Sequence, residues 1–167
     1  MRHCLARGCR RSQPGLHVTV LDIDPDAIEI AKRRIADAEL ENRIDTVVAD
    51  AGDMPFADKS FELVVSRGSF PFWEDKVGGF REVYRVLKPG GIGFIGGGFG
   101  RMLPVAQRSE VIHALRKRVP GLDVGHVPRL KLAKILHEAG IEDYAILRDA
   151  PRHLTCPCQI WVEIHKP

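Results

Sequence analysis

Three polar side chains, Asp22, Asp50 and Ser66, each stand where an apolar run stops: HVTVL ends at Asp22, TVVA at Asp50 and FELVV at Ser66. If these runs are parallel strands of one sheet, the three residues line its carboxyl edge, where ligands bind in open α/β folds. A carboxylate at a strand end can accept hydrogen bonds from both hydroxyls of a ribose, which is the chemistry expected of Asp22. Asp50 can accept from an exocyclic amine while a neighbouring backbone amide meets a ring nitrogen, a combination that selects adenine. The plainer alternatives are a capping or turn role at Asp22, which Asp24 fills better, and an Asx turn at Asp50, which is compatible with ligand binding.

The elements that must position these groups follow from periodicity and turn chemistry. Leu16 to Asp22 is a β-branched run and is expected to be a strand. Asp24 then suits an N-cap, with Pro25 at the first helical position and Asp26 and Glu29 favourably placed in the helix dipole. Ile28, Ala31, Ile35 and Ala38 recur at helical spacing, which leaves Lys32, Arg33 and Arg34 towards solvent. Strands are expected at Ile44 to Ala49 and Phe61 to Val65, separated by a loop in which Pro55 bars helix and Asp58-Lys59 turns. A helix over Glu74 to Leu87 places Phe80, Val83, Tyr84 and Leu87 on one face, and Lys88-Pro89-Gly90-Gly91 is expected to stop it as a turn. A strand over Ile92 to Ile95 leads into Gly96-Gly97-Gly98-Phe99-Gly100. Helices are expected from Val105 to Val119 and from Pro128 to Ala139, divided at Pro120-Gly121 and closed by Gly140. Strands at Tyr144 to Arg148 and Gln159 to Ile164 follow too closely for a crossover helix, so they must be antiparallel.

Composition narrows the class. A chain of 167 residues, 44% hydrophobic and 28% charged, fits one ordinary globular domain. Its formal charge of +3 is small, and the basic residues are scattered between Arg2, Arg7, Arg10 and Arg11 and the run Arg116-Lys117-Arg118, so no nucleic-acid partner is indicated. No apolar run nears the roughly 18 residues of a membrane span, and no signal-peptide h-region opens the chain, which makes a cytoplasmic location the default expectation. Cys4, Cys9, Cys156 and Cys158 cluster at the two ends and read as reduced thiols. Cys156-Pro157-Cys158 with His153 has metal-binding residue types but too few ligands for a closed zinc site, so no metal is expected.

Three stretches, VLDIDPDAIEIAKRR, VVADAGDMPFADKSFELVVS and FREVYRVLKPGG, resemble successive motifs of the class I S-adenosylmethionine-dependent methyltransferases. The likeness is greatest to the branch containing ubiquinone and menaquinone biosynthesis enzymes. Each motif alone is weak, but three in order at the right separations are specific. The resemblance implies a Rossmann-like three-layer α/β sheet, mostly parallel with a C-terminal antiparallel strand pair. It also implies S-adenosyl-L-methionine as cofactor, methyl transfer to a small-molecule acceptor, and cofactor contacts at Asp22 (ribose), Asp50 (adenine amine), Ile23 and Ala51 (flanking adenine). Ser66, Arg67 and Gly68, with Ser69, match the loop beside the methionine moiety and the acceptor. Phe70, Phe72 and Trp73 are either core residues or the wall of an acceptor pocket.

The departure from the family lies at the start. No strand and Gly-x-Gly turn precede Leu16; residues 1–15 form an atypical arginine- and cysteine-rich segment ahead of a methyltransferase-like domain over 16–167. The expectation is a fold truncated before its first strand, which in the family lies between the strands of Leu16 to Asp22 and Phe61 to Val65. Its loss exposes sheet edges that repacking, a homo-oligomer or the missing residues would have to cover. Two other functions stay open on sequence alone: a catalytically silent fragment or interaction protein of the same fold, and an NAD-type nucleotide-binding enzyme.

Overall fold

The computed structural model describes residues 15–38, 40, 42–97, 107, 110, 111, 113, 114, 117, 127–148 and 160–167. The chain divides into two compact units, Met1–Pro55 and Phe56–Pro167.

In the first unit, β1 (His17–Asp22) and β2 (Arg43–Val48) pair in parallel, with His17 opposite Arg43 and Asp22 opposite Val48. Between them runs α1 (Pro25–Asp37). Asp24 caps this helix as its sequence demands: its carboxylate accepts from the Asp26 N–H at 2.9 Å, and Pro25 occupies the first turn, where a missing N–H costs nothing. Ile28 and Ala31 are buried, while Lys32, Arg33 and Arg34 are exposed. At the amino end of the strands, the His17 ring donates to Asp45 at 2.6 Å and Arg43 flanks the same carboxylate. These contacts, the His17 hydrogen bond first, hold the Asp45 carboxyl below its ordinary range.

The second unit is a four-stranded sheet in the order β3-β4-β6-β5, built from β3 (Phe61–Arg67), β4 (Leu87–Gly97), β5 (Tyr144–Arg148) and β6 (Ile160–His165). β3 and β4 are parallel; β6 runs antiparallel to both β4 and β5, as the short connection between the last two strands requires. Helices α2 (Lys76–Val86) and α3 (Arg129–Glu138) accompany the sheet, and Asp75 caps α2 by accepting from the Gly78 N–H at 2.8 Å. Phe80, Val83 and Val86 of α2, Leu132 and Leu136 of α3, Leu87 and Ile95 of β4 and Val162 and Ile164 of β6 form the buried core. Of the helix expected over Val105 to Val119, Gln107, Glu110, Val111, His113, Ala114 and Lys117 are described, and they are helical.

The segment Leu87 to Gly91 departs from expectation. It is not a turn after a helix but the first half of β4, which begins at Leu87 with φ −69° and ψ 137°. Pro89 bars the helix from continuing, because it drives Lys88, the residue before it, from helical to extended backbone. The extra length is absorbed as a bulge: Phe61 pairs with Leu87 but Leu63 with Ile92, and Gly90 takes φ +77°. The chain end locks the bulge, as the Gly90 N–H donates to the Lys166 carbonyl at 2.7 Å and the Lys166 N–H to the Gly91 carbonyl at 3.1 Å. The Lys166 ammonium also donates to the Tyr84 and Arg85 carbonyls, which the end of α2 leaves without helical partners. Arg85 in turn binds Glu82, Asp58 and the Phe56 carbonyl, so its guanidinium stays charged beyond its already high ordinary range.

β4 and β6 approach closely at Gly96. A Cβ there would lie 2.5 Å from the Ile160 carbonyl oxygen and 2.7 Å from the Trp161 Cα, both backbone atoms that cannot swing aside. The substitution Gly96→Ala is therefore expected to destabilise the protein by about 1–3 kcal/mol through overpacking. Gly97→Ala serves as the control, since its nearest contact would be an ordinary 3.5 Å. Urea denaturation of the two variants checks the pair, and equal midpoints would refute the close approach.

Candidate functional site

In the first unit the site is made by the carboxyl ends of β1 and β2. The register sets Asp22 opposite Val48, and the Ala49 N–H donates to the Asp22 carbonyl at 3.1 Å, which carries the pairing one residue beyond the strand. Asp50 therefore follows two residues beyond the position opposite Asp22, at the same carboxyl edge, with adjacent strands about 4.8 Å apart. The Asp50 Oδ1 accepts from the Gly52 N–H at 2.6 Å and its carbonyl from the Asp53 N–H at 3.2 Å. The Asx turn weighed from sequence thus exists, and it orients the carboxylate while engaging only one oxygen. Among the described residues the second oxygen has no hydrogen bond.

Asp22 also shapes its own turn. Its Oδ1 accepts from the Asp24 N–H at 3.0 Å, and Asp24 caps α1, so a relay of carboxylates fixes the exit from β1. The turn role weighed for Asp22 is present beside the cap made by Asp24: both acids serve the turn. Ile23 between them is 65% exposed, an apolar side chain left in solvent beside two acids. Ala51 is half-buried in the Asp50 loop. The acceptor set suits an adenosine: carboxylates to accept from hydroxyls and an amine, with an apolar side chain beside them to cover a flat ring.

In the second unit the candidate residues stand at the end of β3. Ser66 is not the residue after the strand; β3 continues through Arg67, with Ser66 opposite Ile95 and Arg67 opposite Gly96. The chain then turns at Gly68, whose φ of +81° lies in the region that favours glycine. The turn is stitched at three points. The Gly68 N–H donates to the Gly96 carbonyl at 2.6 Å, the Ser66 and Ser69 hydroxyls hydrogen-bond to each other, and Phe70 is buried against Phe80 and Trp73. Arg67 and Gly68 are exposed and Ser66 is half-buried. Phe70 is thereby a core residue, whereas Phe72 in the short 3-10 turn Phe70–Phe72 is 48% exposed. The tie to Gly96 went unforeseen because it comes from β4, distant in sequence.

Among the described residues no group of three His, Cys, Asp or Glu side chains could hold a metal ion. Cys156, Cys158 and His153 lie outside the described residues, as do the residues of the atypical N-terminal segment up to Pro14.

Comparison with known proteins places this architecture. Residues 4–95, more than half of the chain, match the methyltransferase domain family. The 2-methyl-6-phytyl-1,4-hydroquinone methyltransferase 1 of Oryza sativa subsp. japonica is 40% identical over 76 residues, covering 46% of this chain and 22% of that protein. The ubiquinone/menaquinone biosynthesis C-methyltransferase of Geotalea daltonii is 35% identical over 81 residues, covering 48% of this chain and 34% of its own length. This chain therefore spans about a fifth to a third of the length of these relatives. Among solved structures, a Methanococcus maripaludis protein assigned as an S-adenosyl-L-methionine-dependent methyltransferase superposes with a TM-score of 0.71 at 28% identity, covering 95% of this chain and 81% of the other. The antiparallel end of the β3-β4-β6-β5 sheet and these matches agree: the chain belongs to the class I S-adenosylmethionine-dependent methyltransferases.

Proposed function

We propose that the chain transfers a methyl group from S-adenosylmethionine to a small electron-rich acceptor of the hydroquinone class. The observation that carries the reading is the pair of carboxylates at one edge of the parallel β1–β2 sheet, with one oxygen of Asp50 still able to accept a hydrogen bond. Asp22 would hold the ribose hydroxyls, Asp50 the adenine amine, and Ile23 and Ala51 the faces of the ring. Ser66, Arg67 and Gly68 would line the methionine and acceptor side, where the stitched turn supplies a rigid rim. The acceptor class follows the relatives, whose names specify a phytyl hydroquinone and quinone biosynthesis.

Bound S-adenosylmethionine would supply a methyl group already activated on a sulfonium: a carbon–carbon bond would form at the acceptor ring as the carbon–sulfur bond broke, and the ring proton would pass to solvent. What remains for the protein is alignment, and rigid placement of two reactants removes much of the entropic part of the barrier. Antiparallel β6 inside the sheet supports this reading over an NAD enzyme, whose dinucleotide fold continues parallel.

Titration calorimetry tests the proposal directly. Folded protein is expected to bind S-adenosylmethionine saturably and to ignore NAD. Absence of cofactor binding at millimolar concentration would establish the silent-fragment reading instead. Tight NAD binding without S-adenosylmethionine binding would establish a nucleotide enzyme of another class.

A further inference from the structure

The helix α3 carries surface groups that its own packing does not explain. Leu132, Ile135 and Leu136 are buried and fix which side of the helix meets the core. At about 3.6 residues per turn, Leu130 falls opposite that side, on the crest that faces water, with Lys134 one turn further along the same line. Leu130 is 87% exposed, more than any other large apolar side chain among the described residues. A lone exposed leucine is ordinary; this one is ringed by cations. Arg129 and Lys131 stand on the two shoulders of the helix beside it, and these two and Lys134 are all exposed.

Among the described residues neither Arg129 nor Lys131 has a hydrogen bond or an ion pair, and no acid stands in the first turn. Cations at this end oppose the helix dipole, so helix stability does not account for them. The acids come at the other end, where Glu138 pairs with Lys134 at 3.6 Å and the exposed Glu142 and Asp143 follow the helix. Charge is thus polarised along α3, with the cations and the apolar crest together in its amino-terminal half.

We propose that this half of α3 docks on an anionic lipid surface, with Leu130 entering the headgroup layer and Arg129, Lys131 and Lys134 meeting lipid phosphates. Charge complementarity selects an anionic partner, and the leucine decides among anionic partners. A nucleic-acid backbone rewards the cations alone and would leave the leucine against phosphate. A folded acidic protein would need a socket shaped for a convex side chain, whereas a bilayer interface yields to one. The contact is peripheral, since among the described residues no helix is long and apolar enough to cross a membrane. One leucine and three cations give a reversible, salt-sensitive attachment rather than an anchor. None of this depends on methyl transfer, because only α3 is involved.

Co-sedimentation of the folded full chain with vesicles tests the surface. The protein is expected to pellet with vesicles of phosphatidylcholine and phosphatidylglycerol in equal parts, to stay in solution with phosphatidylcholine alone, and to be released as salt is raised. Leu130→Ser should weaken binding at least about fivefold, whereas Leu130→Trp should retain or tighten it. Arg129→Gln combined with Lys131→Gln should weaken it at least about tenfold. Lys32→Gln combined with Arg33→Gln removes the same charge from exposed positions of α1 and should have a much smaller effect. Circular dichroism of the α3 variants should be unchanged, because all three positions are exposed. A wild-type protein that ignores the mixed vesicles, equal binding to both kinds of vesicle, a Leu130→Ser protein bound as tightly as wild type, or equal losses from the two double variants would each overturn the proposal. Tight retention on duplex DNA that Leu130→Ser leaves unchanged would overturn it too, by assigning the cations to nucleic acid.

Discussion

Replacing Phe80 by alanine is expected to cost about 3–5 kcal/mol, the usual range for an aromatic ring removed from a packed core. The ring is fully buried, and it packs at a centroid distance of 5.9 Å from Phe70 and 5.5 Å from Trp73. Trp73 closes over the helix at Gly79, where a Cβ would fall 2.4 Å from the indole, so the indole has little room to follow a retreating side chain. The void would therefore persist rather than collapse, and the upper half of the range applies. A loss of this size approaches the whole stability of many domains. Urea denaturation with Phe80→Leu beside Phe80→Ala checks the claim. Leucine should retain a good part of the stability, and a cost below about 1 kcal/mol for alanine would mean that the cluster is not the core of this unit. Phe70 anchors the turn that follows β3, so the same substitution should also loosen the Ser66 to Ser69 rim.

Much of this was legible because local and tertiary signals agree. Asp24 and Pro25 state the start of α1 in two residues, and Ile28 and Ala31 then state which face is buried. The antiparallel pairing of β5 and β6 followed from chain length alone. The failure at Leu87 is instructive because that residue satisfies both patterns: it continues the apolar face of α2 and it begins the buried face of β4. Periodicity cannot separate the two where one apolar residue serves both elements. The proline that decides between them acts through the residue before it, so a segment that looked like a stop is a strand. Gly96 was opaque for a different reason. Its requirement is set by the Ile160 carbonyl on a strand 64 positions later, and no local rule reads that distance. The strands that bracket the family's first strand belong, among the described residues, to separate sheets, β1–β2 and β3-β4-β6-β5. Each motif depends on a different neighbour, Asp22 on β2 and Gly68 on β4.

Asp22→Asn is expected to weaken S-adenosylmethionine binding roughly 10- to 100-fold, the equivalent of losing one charge-assisted hydrogen bond of about 1.5–3 kcal/mol. Asparagine is the informative replacement. Its amide oxygen can still accept from the Asp24 N–H, which Asp22 accepts at 3.0 Å, so the turn into α1 survives while the charge and one acceptor disappear. Alanine would remove the turn contact as well and confound the two roles. Lower affinity by itself would not prove a ribose contact, because a carboxylate also acts at a distance on a cationic ligand. That electrostatic effect has the opposite chemical target, and a thermodynamic cycle separates the two. Calorimetry with the cofactor and with an analogue lacking the ribose hydroxyls, each against wild type and Asp22→Asn, gives the coupling between this carboxylate and those hydroxyls. A direct contact predicts that the analogue binds both proteins nearly alike. Losses that simply add would remove Asp22 from the ribose. The same cycle with a cofactor analogue lacking the exocyclic amine applies to Asp50→Asn, where the Gly52 N–H already occupies one oxygen and leaves a single acceptor to lose.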